Sequence, residues 1–203
     1  MPSFPLMIDL RNKQVIIVGG GPIAERKIQP LLTSGALLTV VSPEVTPAIE
    51  ALAREEKLTW REKNASPGDV EKAFFLIAAA DKEINEKISR AAPENCLINN
   101  VSDGEKGNTA FPAIVRRGRL TIAVSTGGAS PKAARRIKQE LEETYDEPYG
   151  QYMDFLHEVR LLLKRSDLAD ADRHRWLDEV TSPVYLAPEK QRAVLDRLEK
   201  LLS

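Results

Sequence analysis

Four consecutive apolar residues, Val15 to Val18, run directly into three glycines, Gly19, Gly20 and Gly21. No other stretch restricts the fold of this chain as strongly. A β-branched run of that kind is the composition of a strand buried on both faces. A strand that breaks on glycine and reopens as a helix at Pro22-Ile23-Ala24 has the form that a dinucleotide pyrophosphate requires. Gly19 permits the tight turn, Gly21 lets the backbone approach the phosphates, and Ala24 is small where helix and strand must pack. The pattern is G-x-G-x-x-A. Because glycine turns of purely structural origin produce the same letters, the neighbouring elements have to carry the assignment.

Phe4 to Leu10 reads as an extended segment and Asn12-Lys13 as a turn. Glu25 to Thr33 reads as a helix with Ile28, Leu31 and Leu32 on its apolar face, although Pro30 inside it removes a hydrogen bond and bends the chain. Leu37 to Val41 is the second strand and completes a right-handed βαβ unit. Further on, Thr46 to Glu56 has helical spacing, Leu58 to Glu62 reads as a short strand, and Asp69 to Lys72 as a helical turn. Phe74 to Ala80 is another parallel strand, Ile84 to Ala92 a helix, and Leu97 to Val101 the next strand. The resulting class is α/β with a Rossmann-like parallel sheet. Its strand carboxyl ends form the edge where such sheets bind ligands, which places Ala79, Ala80 and Asp81 on the crevice.

The end of the second strand bears on which dinucleotide is taken. It runs into Ser42-Pro43-Glu44, so an acid arrives two positions late, and Ser42 and Glu44 are the candidates for the adenosine ribose. The alternative is that Ser42-Pro43 only turns the chain. The first basic residue after the strand is Arg54, too distant in sequence to suggest a 2′-phosphate pocket, and NAD is expected rather than NADP.

Beyond Val101 the βα rhythm stops. Ser102-Asp103-Gly104 is a turn, and Asp before Gly is commonly an Asx-turn. Thr109 to Ile114 and Leu120 to Val124 read as strands outside the parallel sheet, with Arg116 to Arg119 as a basic turn between them. Ser125-Thr126-Gly127-Gly128-Ala129 is a loop of hydroxyls and glycines, after which Ser130 caps and Pro131 opens a helix to about Thr144. From Lys106 to Lys138 the chain carries Arg116, Arg117, Arg119, Lys132, Arg135 and Arg136 with no Asp or Glu between. Such a concentration suggests an anionic partner. With Phe111 as its one aromatic, the interval is poorly equipped to stack bases, so a small polycarboxylate or phosphate is favoured over nucleic acid. The candidate ligands are Ser125, Thr126, Gly127, Ser130, Lys132 and Arg135; a solvated basic helix face is the competing explanation. Pro148 should break the helix, and Tyr152 to Lys164, Arg173 to Val180 and Pro188 to Leu202 follow as helices. His157 and His174 lack metal-ligand spacing and read as surface or packing residues, so no metal site is expected.

The whole-chain numbers exclude more than they identify. A formal net charge of −1 gives no general signal for nucleic acid or membrane. One cysteine, Cys96, permits no internal disulfide and fits a reducing compartment. The first ten residues carry Asp9 and do not resemble a signal peptide, and no apolar run approaches a membrane span. A cytoplasmic location is expected.

Taken together, GGGPIAERK, the strand ending NNVSD, the segment FPAIVRRGRLTIAVSTGGASP and the basic helix after it resemble the precorrin-2 dehydrogenases, including the dehydrogenase/ferrochelatase module of siroheme synthase. The resemblance runs from about Phe4 to Glu143 and weakens in the helical tail. It implies an NAD-binding Rossmann domain over 1–112, a small α+β dimerisation and substrate region over 113–147, and a helical domain over 148–203. It also implies a homodimer that oxidises precorrin-2 to sirohydrochlorin in siroheme biosynthesis with NAD as hydride acceptor. A tetrapyrrole polycarboxylate agrees with the basic interval. By position, Pro22, Ile23, Pro43 and Glu44 fall where the family contacts NAD, beside Gly19, Gly20 and Gly21. Asp103 falls on the family's acidic residue implicated in dehydrogenation, and Thr126 on a serine that is phosphorylated in some siroheme synthases. The methyltransferase part of the multifunctional enzymes is not expected within 203 residues. Two other functions stay open on sequence alone: a bifunctional dehydrogenase and sirohydrochlorin ferrochelatase, and a non-enzymatic module that senses NAD.

Overall fold

The computed structural model describes residues 4–202. Its backbone divides after Phe111 into two units. The first holds a parallel sheet of five strands in the order β3-β2-β1-β4-β5, where β1 is Gln14–Val18, β2 Leu37–Ser42, β3 Thr59–Glu62, β4 Phe75–Ala78 and β5 Leu97–Asn100. The apolar run thus sits at the centre, with Ile17 beside Val40 of β2 and Ile77 of β4. Alternation along β1 sends Val15 and Ile17 to one face and Ile16 and Val18 to the other, and both pairs are buried. Helices α1 (Pro22–Ile28) and α2 (Pro47–Arg54) cover the first face through Ala24, Ile28 and Ile49. Helix α3 (Lys82–Ala91) covers the second through Ile88. Strand order reverses direction between β1 and β4, which opens a crevice at their carboxyl ends.

Several boundaries differ from the sequence expectation, each for a local reason. The helix after the glycines ends at Ile28 and tightens into a 3-10 turn over Gln29–Leu31, because Pro30 has no N–H to give to an α-helical ladder. The helical turn expected at 69–72 lies earlier, at Pro67–Asp69, fixed by reciprocal capping between Ser66 and Asp69. Asp69 is 9 % exposed and holds Lys63, the Ser66 hydroxyl and the Ser66 amide. Burial alone would raise its pKa, but these partners bring the carboxyl down to about 2. Helix α3 starts at Lys82, and the residue it buries near its start is Asn85 rather than Ile84.

In the second unit, β6 (Ala113–Arg117) and β7 (Leu120–Val124) form an antiparallel hairpin. The expected strand over 109–114 is displaced: Pro112 cannot donate to a ladder, so pairing begins at Ala113. Arg116 and Arg117 are consequently strand residues, and the turn is confined to Gly118-Arg119. Helices α4 (Pro131–Thr144), α5 (Glu147–Arg165), α6 (Asp170–Val180) and α7 (Pro188–Leu202) complete the unit. Pro148 opens α5 instead of breaking a helix, since a first-turn N–H has no intrahelical partner to lose. Tyr152, Phe155, Val159, Leu163, Trp176, Val180, Val194 and Leu198 pack the helical core, and the Tyr152 hydroxyl donates to the Val180 carbonyl at 2.9 Å. His174 is exposed on α6, with its Nδ1 2.7 Å from the Asp170 carbonyl oxygen.

Candidate functional site

The three glycines do three different jobs. Gly19 has φ +109, and a Cβ there would lie 2.4 Å from the Ala79 carbonyl oxygen. It is what lets the end of β1 pass against the end of β4, where the Ala79 N–H donates to the Val18 carbonyl at 2.8 Å. A Cβ on Gly20 would lie 2.1 Å from the Glu44 carbonyl oxygen, so this residue lets the segment after β2 close onto the loop. That closure is bonded as well: the Thr46 N–H donates to the Gly20 carbonyl at 2.9 Å, and the Thr46 hydroxyl to the Glu25 carboxylate at 2.7 Å. Gly21 has no such constraint. A Cβ on it would meet nothing within 4 Å, and Gly21, Pro22 and Ile23 are exposed. Backbone without side chain facing open space is the cradle a pyrophosphate needs, so the residues present fit a nicotinamide dinucleotide.

Ser42-Pro43-Glu44 leaves β2 beside this cradle. Ser42 is buried, and its carbonyl accepts from the Trp60 indole Nε1 at 2.9 Å, which anchors the backbone where the strand ends. Pro43 and Glu44 are exposed. Of the two ribose candidates, the carboxylate of Glu44 is therefore the one turned to solvent. Ala79 and Ala80 follow β4 and are partly buried.

At the end of β5 a set of polar side chains converges. Asn100 is buried, and its Oδ1 accepts from the backbone N–H groups of Ser102 at 3.0 Å and Asp103 at 3.2 Å. Asn85, fully buried on α3, accepts from the Ala80 N–H at 2.9 Å and donates to the Ala80 carbonyl at 2.8 Å and to the Ser102 hydroxyl. Asp103 caps a 3-10 turn, its Oδ1 accepting from the Glu105 N–H at 3.0 Å. Its other oxygen lies 4.0 Å from Lys106, and its side chain keeps 34 % of its surface exposed. The capping role and an accessible carboxylate therefore coexist. Lys106 is held chiefly by Glu86 at 2.5 Å, and that contact draws the Glu86 pKa below the usual carboxylate value.

In the second unit the hydroxyls of the glycine-rich loop turn inward on the loop. Thr126 Oγ1 donates to the Ser130 carbonyl and accepts from the Ser130 N–H, both at 3.2 Å. Ser125 accepts from the Gly127 N–H at 3.3 Å, and Ser130 accepts from the Ala133 N–H at 3.1 Å as the cap of α4. Gly127 at φ +59 and Gly128 at φ +86 make the turn and face open space. The basic interval divides. Arg119 pairs with Asp154, Arg136 with Glu140 and Lys138 with Glu142, while Arg117 donates to the carbonyls of Arg116 and Glu142. Lys132 and Arg135, both exposed in the first turns of α4, make no ion pair among the described residues.

Asn85, Asn100 and Ser102 escaped the sequence reading. One signal was present for Asn85: it stands three residues before Ile88, on the stripe of α3 that a soluble helix fills with apolar residues. Among the described residues no group of three or more His, Cys, Asp or Glu is placed to hold a metal, and no helix is long and apolar enough to cross a membrane.

A family model for putative NAD(P)-binding domains matches residues 6–113. One for the central part of sirohaem biosynthesis proteins matches 117–144, and one for the SirC C-terminal domain matches 149–194. The chain is 37 % identical to a precorrin-2 dehydrogenase of Priestia megaterium over 97 % of its own length and 98 % of that protein. It is 39 % identical to a precorrin-2 dehydrogenase of Bacillus subtilis over 77 % of its length and 97 % of the relative. A siroheme synthase of Xylella fastidiosa matches at 33 % identity over 93 % of this chain but only 40 % of that longer protein. Among solved structures, "SirC, precorrin-2 dehydrogenase" superposes with a TM-score of 0.87 at 37 % identity, covering 97 % of this chain and 99 % of the other.

Proposed function

The chain belongs to the precorrin-2 dehydrogenase family of oxidoreductases, and on that premise we propose that it oxidises precorrin-2 to sirohydrochlorin with NAD, with Asp103 as proton acceptor. The observation that carries the cofactor half is Gly21, whose missing side chain faces open space beside two glycines that are committed to packing. Gly19, Gly20, Gly21, Pro22 and Ile23 hold the pyrophosphate side. Ser42, Pro43 and Glu44 shape the adenosine side, and the exposed carboxylate of Glu44 repels a 2′-phosphate and so selects NAD over NADP. Ala79 and Ala80 let the nicotinamide end lie close to the sheet edge. When bound, that ring supplies the hydride acceptor. Asp103, already fixed by two backbone bonds and partly open to solvent, takes the proton that leaves with the hydride.

Substrate carboxylates engage Lys132 and Arg135, which make no ion pair among the described residues, and the loop of Ser125, Thr126, Gly127 and Ser130 presents them through its closed hydrogen bonds. The protein works as a homodimer in the cytoplasm. In support, α4 is amphipathic yet buries none of its residues fully, which leaves part of its apolar face for a second copy. The test is anaerobic ultraviolet–visible spectroscopy of the protein with precorrin-2 and either NAD or NADP. NADH and the sirohydrochlorin spectrum should grow together with NAD and be strongly reduced with NADP. A chain that consumes no NAD under these conditions would defeat the proposal.

A further inference from the structure

We infer that Asn85, through Ser102, is a positioning device that holds the shelf under the cofactor and the proton acceptor in fixed register; this rests on the assignment of Asp103 above. The two loops concerned leave different strands. Ala79-Ala80 ends β4 and Ser102-Asp103 ends β5, and the adjacent strand residues Ala78 and Asn100 are paired. Beyond that pair the ladder makes one more backbone bond, from the Val101 N–H to the Ala78 carbonyl at 3.0 Å.

Asn85 takes over where the ladder stops. Its amide satisfies both backbone groups of Ala80, as another strand residue would, and its Nδ2 also reaches the Ser102 hydroxyl. On the other side, Asn100 gathers the amides of Ser102 and Asp103 onto one oxygen and donates through Nδ2 to Ser89 of α3 at 3.4 Å. Helix α3 therefore grips both loops from beneath. Asn85 is 0 % exposed and Asn100 4 %, and a fully buried amide is retained only where its bonds compensate its desolvation. A purely structural cap needs the Ala80 bonds alone. The bond to Ser102 is the one that ties the loop of the proton acceptor to the shelf of the hydride acceptor. Misplacing either by about 1 Å is enough to cost on the order of 10²-fold in rate.

The test removes that tie and leaves Ala80 held. Ser102→Ala should melt within a few degrees of wild type and bind NAD with unchanged affinity by calorimetry. In the cofactor-free protein its amide hydrogen exchange should rise over 101–104 and stay unchanged over 79–81. Single-turnover NADH formation should fall about tenfold or more with the KM for NAD unchanged, and Ser102→Thr, which restores a hydroxyl, should recover it. Wild-type turnover and exchange in Ser102→Ala, alongside an inactive Asp103→Ala control, would overturn the inference and leave the assignment of Asp103 standing. A fully active Asp103→Ala would overturn that assignment and this inference with it.

Discussion

Substitution of Gly21 and Gly19 should fail in opposite ways. Gly21 has φ −82 and ψ −176, extended backbone that any residue adopts, and its Cβ position is empty to 4 Å. Valine there loses only the small preference of a helix N-cap for glycine over an apolar residue, about 1 kcal/mol or less. Gly19→Ala forces a side chain into φ +109 and onto a carbonyl oxygen at 2.4 Å. Backbone strain of about 1–3 kcal/mol and overpacking of about 1–3 kcal/mol add to roughly 4 kcal/mol, a large share of a stability that is typically about 5–15 kcal/mol. For a chain of this size that corresponds to a fall in melting temperature on the order of 10 °C. Gly21→Val should instead melt near wild type while losing NAD affinity by about 10²-fold or more, because its branched side chain occupies the space reserved for the pyrophosphate. Differential scanning calorimetry and NAD titration on the same preparations separate the two. If folded Gly21→Val binds NAD normally, the open cradle is not the phosphate site. If Gly19→Ala melts like wild type, the close approach of β1 and β4 was misjudged.

Asp103→Ala should keep NAD affinity and lose about 10²–10⁴-fold in single-turnover NADH formation; were Asp103 only a cap, the change would cost about 1 kcal/mol of stability and leave turnover nearly intact. Asp69 is held at about 2 against an ordinary 3.8, so its stabilisation is fully present above about pH 4 and fades as the pH falls through 2. Its cationic partners are about half exposed, at 47 % for Lys63 and 50 % for Arg61, so screening leaves on the order of 1–2 kcal/mol. Denaturant titrations should show Asp69→Asn destabilised by that much at pH 7, with the gap from wild type closing toward pH 2; a constant gap would remove the charge from the account. Sedimentation at micromolar concentration should give a dimer, and introducing glutamate at Ile137 on the half-buried face of α4 should shift it to monomer; a monomeric wild type would reject the dimer.

The parallel sheet was legible chiefly from its central strands β1, β2 and β4, which are apolar runs bounded by turn residues, a pattern a buried strand can hardly avoid. Pattern also located α4, since Ser130 and Pro131 signal a cap by chemistry that needs no tertiary partner. The effect of a proline depends on position: Pro30 interrupts the helical ladder as its sequence context implies, whereas Pro148 begins a helix instead of breaking one and Pro112 delays a strand. The site was half legible. The motif made Gly21 a ligand candidate, but it could not give Gly19 and Gly20 their particular packing partners, which lie beyond β4 and β2. The bond between Asn85 and Ser102 was invisible because it joins residues 17 positions apart through a fold that sequence spacing alone does not measure. The basic interval overstated the free charge, since Glu140 and Glu142, one turn on in α4, pair with Arg136 and Lys138, and Asp154 of α5 pairs with Arg119.

The bond from Trp60 to the Ser42 carbonyl makes the chain its own optical instrument. The sequence has two tryptophans, and the fold puts one in each unit. Trp60 is tied by its indole N–H to the end of β2, next to Pro43 and Glu44. Trp176 is buried in the helical core under the guanidinium of Arg197, 4.4 Å from its ring centre. Fluorescence from Trp60 alone, in a Trp176→Phe background, reports on the end of β2 beside Pro43 and Glu44. Fluorescence from Trp176 alone follows the helical core through the same titration or melt. Changes at the end of β2 and unfolding of the helical core can thus be followed one at a time in single-tryptophan variants, without attaching a dye.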